Sequence, residues 1–344
     1  MVALSRRAVL ALAGTAAAAL AAAGCTAGDE PAVTPAPTVP PVPDPLLAEL
    51  ADEERLVALY AGTTARHPVL AGRLQALQTE HAQHAEALTR ALDDAGSPVP
   101  AGPTPAPRPV PATPAAALAA LRAAERAAAA ARGAAALVAP AHRAGLLASV
   151  AASEASHQLV LRGGGPRPTG DGLPPTRPPT TTPTTTLTRP PTRPPTTPAG
   201  TDGPVPALQT ALAAEHAVVW GYGVVGGRVG ETLRPAVRDA DSAHRTRRDG
   251  TAALVRRYGG EPVATEAAYA LPFPVPDRKA ALRLAVHLEE GVAAAWRYAM
   301  ESTDEVVVRR TALAALTDAA VRATRWRLLL PPTAPTVAFP GDPA

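Results

Sequence analysis

Residues 70–88 read LAGRLQALQTEHAQHAEAL. Leu70, Leu74, Leu77, Ala82, Ala85 and Leu88 recur at helical steps, so they share one face of an α-helix. Set into this stretch is Glu80-His81-Ala82-Gln83-His84. His81 and His84 are spaced i, i+3, and Glu80 and His84 are spaced i, i+4. Both spacings keep side chains on one side of a helix. The flanking sequence supplies three further helices. Leu46, Leu47, Leu50, Leu56, Leu59 and Tyr60 mark one, Leu118, Leu121, Ala124 and Ala128 another, and Leu146, Leu147, Val150 and Leu159 the last. Pro68, the loop over 96–114 and Pro140 punctuate them. Short, long and short connections between four helices predict a bundle with one crossover.

The scheme repeats downstream. Helices are predicted over 205–227, 231–258, 278–301 and 305–329, with the crossover at 259–277. The expected fold is therefore all-α: two four-helix bundles over 45–162 and 204–330, followed by a C-terminal tail, 331–344. Trp220, Tyr222, Trp296 and Trp326 give the second block large packing units. The first block has Tyr60 as its single aromatic and builds its core from Leu, Val and Ala, which predicts the lesser stability. Between the blocks, 163–203 is rich in Thr and Pro, most densely over 174–198. Such a composition cannot bury a core, so this stretch reads as a disordered linker, with O-glycosylation of its Thr residues one reading. Two independently moving modules without extensive mutual packing are expected.

The chain has 344 residues, enough for two domains or three small ones. Its one Cys excludes an internal disulfide framework and any Cys-rich metal site. A net charge of +3, with Arg dispersed among acidic residues and Lys279 the single lysine, argues against nucleic-acid binding. Gly163-Gly164-Gly165 precedes the Pro/Thr stretch rather than a helix, so it is not a phosphate loop. A nucleophile-elbow motif and a candidate Cys nucleophile are both missing.

Residues 1–25 read as an address. Arg6 and Arg7 form a positive start, and Ala8–Ala23 is apolar but shorter than the ~20 residues of a comfortable span. Ser5-Arg6-Arg7-Ala8-Val9-Leu10 resembles a twin-arginine export signal. Ala22-Ala23-Gly24-Cys25 resembles a lipobox, with Ala22 where Leu is favoured. The expectation is lipidation of Cys25, with plain signal cleavage near Ala23 as the alternative. Residues 26–44 are then a Pro-rich stalk. The protein is expected on the outer face of the cytoplasmic membrane, held by its lipid.

Bundle interiors hold carboxylate-bridged metals with one Glu from each of two helices and Glu-x-x-His from the other two. The first block approaches that pattern. Its first helix offers Glu53 and Glu54, its second Glu80, His81 and His84, its third Glu125. Its fourth carries Glu154-Ala155-Ser156-His157. The candidate ligands are Glu54, Glu80, His81, His84, Glu125, Glu154 and His157, for iron or manganese. A strict di-iron set is not met on the second helix, and Arg122 and Arg126 could neutralise Glu125 without metal. The second block has a poorer set: Glu215, His216, Asp241, His244, Glu289, Glu290 and Asp318. Val321 stands where a His is expected, followed by Arg322. Arg pairs bidentately with carboxylates. That interior is therefore read as a buried polar network of Glu215, His216, Asp241, His244, Glu290, Asp318 and Arg322.

Four motifs then occur in order: Ala214-Glu215-His216-Ala217 with Trp220-Gly221-Tyr222-Gly223; His244-Arg245-Thr246-Arg247-Arg248-Asp249; Ala268-Tyr269-Ala270-Leu271-Pro272-Phe273-Pro274-Val275; and Ala320-Val321-Arg322-Ala323-Thr324-Arg325-Trp326. Together they resemble an uncharacterised ferritin-like domain family of actinobacteria. The resemblance spans 205–330 and implies a four-helix ferritin-like fold without an established activity. The first block resembles ferritin-like modules of exported lipoproteins, on its Glu/His pattern and helix lengths. The leading expectation is a non-enzymatic, membrane-anchored lipoprotein that binds or scaffolds an envelope protein. The alternative is iron or manganese binding or oxidation in the first bundle.

Overall fold

A computed structural model describes residues 43–97, 99, 109–163, 203–331 and 334–342. The expected signal, Cys25, nearly all of the stalk and the Thr/Pro segment lie outside the described residues. What is described is helical, with no strand among the described residues. α1 (Leu46–Arg66), α2 (Ala71–Asp93), α3 (Pro114–Val138) and α4 (Ala141–Arg162) form one four-helix bundle. α5 (Val205–Gly226), α6 (Arg234–Arg257), α7 (Arg278–Ser302) and α8 (Val306–Arg327) form the second. No helix among the described residues is long and apolar enough to cross a membrane.

Local chemistry sets the helix ends. Thr113 caps α3 by accepting from the Ala116 amide, and Pro114 follows at the first helical position, where a missing N–H costs nothing. Asp277 caps α7 in the same way through the Ala280 amide. Pro68 and Pro235 sit where short 3₁₀ turns lead into α2 and α6.

The first bundle is built in layers. Tyr60, Leu70, Leu74, Leu77, Leu121 and Leu161 form an apolar cluster towards one end. Leu46, Leu50, Leu88, Leu92, Ala136 and Leu147 pack towards the other end. Between them lies a layer of buried charged side chains.

The two bundles are not separate modules, as the sequence led us to expect. The second apolar layer of the first bundle runs without a break into the core of the second bundle. α4 packs against α7 and α8, and the described residues from 43 onward form one compact unit. The reason lies in α4, which has no charged residue between Arg143 and Glu154 and is buried on nearly every side. A helix that is apolar all round belongs inside. Its small residues Ala144, Gly145, Ala148, Ala151 and Ala152 let the neighbouring backbones approach. A Cβ at Gly145 would collide with the Glu301 side chain. Arg309, buried on α8, reaches across to donate to the carbonyls of Leu137 (3.3 Å) and Ala139 (2.6 Å) at the end of α3.

Candidate metal centre

The polar layer draws from all four helices of the first bundle. α1 contributes Glu53 and Tyr60, α2 contributes Glu80, His81 and His84, α3 contributes Glu125 and Arg132, and α4 contributes Glu154 and His157. None is more than 7% exposed. His81 is at the centre: its Nδ1 lies 2.8 Å from Glu53 Oε2 and its Nε2 lies 2.8 Å from Glu125 Oε1. The Tyr60 hydroxyl donates to the same Glu125 oxygen. His157 contacts Glu125 Oε1 at 3.3 Å through Nδ1 and Glu80 Oε2 at 2.8 Å through Nε2. Arg132 spans the other side, 2.8 Å from Glu53 Oε1 and 2.9 Å from Glu154 Oε1.

Of the residues expected as ligands, Glu80, His81, His84, Glu125, Glu154 and His157 meet here. Glu54 does not. It is exposed, and its neighbour Glu53 takes the inward place. The spacing Leu46, Leu50, Glu53, Leu56, Tyr60 follows the apolar stripe of α1, so Glu53 was the residue in register. Arg132 was also missed as a member. Its signal was a lone charge inside the apolar run over 127–139.

Burial and partners divide the charges. Desolvation opposes ionisation of Glu53, Glu80 and Glu125, but the surrounding histidines outweigh it, and all three are held below the usual carboxylate range. Burial likewise opposes charge on His81 and His157. Glu125, with Glu53 for one and Glu80 for the other, overcomes it and pushes them up to about 9 and about 10. Burial keeps His84 neutral, with Glu53 pulling the other way. Glu154 is raised well above the usual range, first by burial and then by the charges of Glu53 and Glu125, despite Arg132. Three carboxylates thus face three cations, and the layer is neutral.

Two groups place donor atoms within 4.8 Å of one another: Glu53, His81 and His84, and His81, Glu125 and His157. In the polar layer, His84 Nδ1, Glu125 Oε2 and Glu154 Oε2 have no hydrogen-bond partner, while Glu53 Oε1 and Glu154 Oε1 face the Arg132 guanidinium. His84 Nε2 lies 2.7 Å from the Ala338 carbonyl, which only accepts, so the ring proton is on Nε2. The lone pair on Nδ1 then faces Glu53 Oε1 at 3.2 Å. Two acceptors facing each other call for a cation or a proton between them.

The second bundle repeats half of this arrangement. His244 Nδ1 lies 2.8 Å from Glu215 Oε2, its Nε2 lies 3.2 Å from Glu289 Oε1, and the Tyr222 hydroxyl donates to Glu289. These match His81, Glu53, Glu125 and Tyr60 one for one. Trp296 follows Glu289 by seven positions, as Arg132 follows Glu125. Its indole N–H donates to Glu215 Oε1 at 2.8 Å. The Trp326 N–H donates to the Tyr222 hydroxyl at 2.9 Å.

Of the network expected here, Glu215 and His244 are buried members. Glu290 is exposed and pairs with Arg327, while Glu289 takes the inner place. Asp318 is more than half exposed and pairs with Arg247 and Arg322 at the rim. Asp241 pairs with Arg245, and His216 reaches the Val263 carbonyl, both outside the core. Carboxylate–arginine pairing occurs mainly at the rim, but Arg247 Nη1 also lies 3.7 Å from the buried Glu215 Oε1. Indoles and a phenol supply the interior hydrogen bonds and leave Glu289 Oε2 without a partner.

Residues 207–344 match a domain of unknown function (DUF4439). The match begins in α5 and runs through the C-terminal segment, covering the second bundle and not the first. A crystal structure of a conserved hypothetical protein, rv2844, from Mycobacterium tuberculosis is 40% identical; the alignment covers 36% of this chain and 94% of that one, with a TM-score of 0.36. No curated protein matches.

Proposed function

We propose that this chain is an exported, lipid-anchored envelope protein, and that the first of its two ferritin-like bundles holds one divalent transition-metal ion. The observation that carries the metal reading is the difference between the bundles. The second stops at a Glu–His–Glu–Tyr network, in which Glu289 Oε2 also lacks a partner. The first adds Glu80, His84, Glu154 and His157 to the same network, all buried, with His84 Nδ1 and Glu154 Oε2 left without a hydrogen-bond partner. Buried ionisable groups are costly, and four that the parallel bundle does without point to a ligand. Imidazole and carboxylate donors suit iron, manganese or zinc.

The donor set also limits the stoichiometry. Arg132 already supplies a cation to Glu53 and Glu154. Both candidate triads use His81, and a neutral imidazole has one lone pair. The expected content is one ion per chain, in place of the pair held by di-iron bundles. Metal binding displaces protons from its ligands. A divalent cation exchanged for the protons of His81 and His157 leaves the layer neutral.

The lipoprotein reading rests on Arg6, Arg7 and the lipobox-like Ala22–Cys25. The alternative function is metal-free scaffolding of an envelope protein, and the observation favouring it is the self-neutralised layer around Arg132. Elemental analysis of protein purified without chelator separates the two readings. About one iron, manganese or zinc ion per chain, lost in a His81→Asn/His84→Asn variant, is expected. Substoichiometric metal unchanged by the variant returns the bundle to the scaffolding role.

A further inference from the structure

The last described stretch of the chain leaves the second bundle and lies on the first. Thr336 Oγ1 donates to Glu80 Oε1 at 2.7 Å. Ser153 and Ser149 of α4 donate to the carbonyls of Val337 (3.0 Å) and Pro340 (2.7 Å). The Ala338 carbonyl takes the Nε2 proton of His84, and the Phe339 ring meets the His84 imidazole edge-on at 5.3 Å. Thr336 and Ala338 are buried. Beyond them, Gly341 sits at φ +81°, where a Cβ would stand 2.6 Å from the Ala293 carbonyl oxygen of α7. Asp342 pairs with Arg297 at 2.6 Å. The segment is thus pinned to the second bundle at its far end and to α2 and α4 along its middle.

These contacts fall on two of the four groups that set the first bundle apart. A shallow depression on α2, lined by Gly72, Gln75, Ala76, Thr79, Glu80 and Gln83, touches the polar layer at Glu80. There Thr336 holds the carboxylate. Carbonyl and hydroxyl partners behind metal ligands fix the tautomer and orientation of those ligands, and losing such partners costs ten- to a hundred-fold in affinity.

We propose that Thr336–Pro340 is a strap that closes the first bundle's site and positions His84 and Glu80 as ligands, so that the second bundle's chain end controls entry to and exit from the first. This rests on the metal reading above, and the test separates the two. The full chain is compared with a chain ending at Leu330 and with Gly341→Val, which keeps every residue of the strap but forces its anchor off α7. Histidine acylation by diethylpyrocarbonate, read by mass spectrometry, needs no metal. His84 is expected to be unmodified in the full chain and modified in both variants. His244, equally buried in the second bundle, stays unmodified throughout. Cobalt(II), followed by its visible absorption during chelator challenge, is expected to leave both variants at least about ten-fold faster.

His84 protected in both variants overturns the strap. Joint modification of His84 and His244 overturns it too, because the segment is then a general packing element. Reactive His84 with no cobalt uptake by any chain leaves the covering role standing and removes the metal reading. Reactive His84 with unchanged cobalt release overturns the positioning role.

Discussion

Arg132 and Trp296 occupy equivalent places, each on the carboxylate that the first helix of its bundle sends inward. In one bundle the nearest partner is a permanent charge at 2.8 Å, and in the other a neutral N–H donor at 2.8 Å, with Arg247 farther off at 3.7 Å. Removing one side of a buried ion pair strands the other. Arg132→Met is expected to destabilise the protein by about 3–5 kcal/mol. Trp296→Phe loses one indole hydrogen bond and should cost less, about 1–3 kcal/mol. Urea denaturation that ranks them the other way contradicts this account. His244 gives a pH signature. Burial opposes its charge, but Glu215 and Glu289 overcome that and raise its pKa. Charged His244 therefore adds stability that is complete below the unfolded value near 6.5 and fades as pH rises through the higher folded value. The stability gap between the wild-type protein and His244→Gln should narrow on going from about pH 6 to about pH 9. A gap that is flat or widening sinks the assignment.

At the level of elements, α4 and α8 join the bundles. α4 presents small residues to α7 and α8, so its second face is covered by helices that lie far along the chain. Arg309 holds the C-terminal end of α3, where carbonyls without intrahelical partners and the negative end of the helix dipole favour a cation. Its guanidinium also donates to the Thr303 carbonyl at 2.6 Å, tying the start of α8 into the same joint. Arg309→Ala is expected to cost about 1–3 kcal/mol for the carbonyls it leaves unpaired. Hydrogen exchange should quicken at the end of α3 as well as at the start of α8. Acceleration confined to α8 would show that the contact does not couple the bundles.

For the whole molecule, the continuous core makes the two bundles a single cooperative unit. The segments 43–163 and 203–344, produced together as separate chains, are expected to co-purify in equal amounts. The first segment alone should expose the apolar face of α4 and aggregate or bind a hydrophobic dye. Size-exclusion chromatography showing two non-interacting, stable halves would contradict the shared core. Thermal unfolding of the intact chain should likewise give one transition by circular dichroism and by Trp fluorescence, since Trp296 and Trp326 lie in the same cooperative unit.

The sequence by itself determined the eight α-helices of the described residues and their short–long–short connections. It did so because the helical period and the Pro and loop residues that punctuate it are local signals. It also located most of the buried charge, including Glu80, His81, His84, Glu125, Glu154, His157, Glu215 and His244. Between adjacent acids it took the wrong one twice, Glu54 for Glu53 and Glu290 for Glu289. Neighbouring residues point about 100° apart on a helix, so one step of register decides which side is dry. The stripe Leu282, Ala285, Glu289, Val292, Trp296 held that register, as Leu46–Tyr60 did in α1. Tertiary structure alone decided the rest. That α4 is covered by α7 and α8, that Arg132 sits between Glu53 and Glu154, and that Thr336 and Ala338 meet Glu80 and His84 all depend on partners distant in the chain. Hydrophobic burial and hydrogen-bond satisfaction select such partners only once the helices have packed.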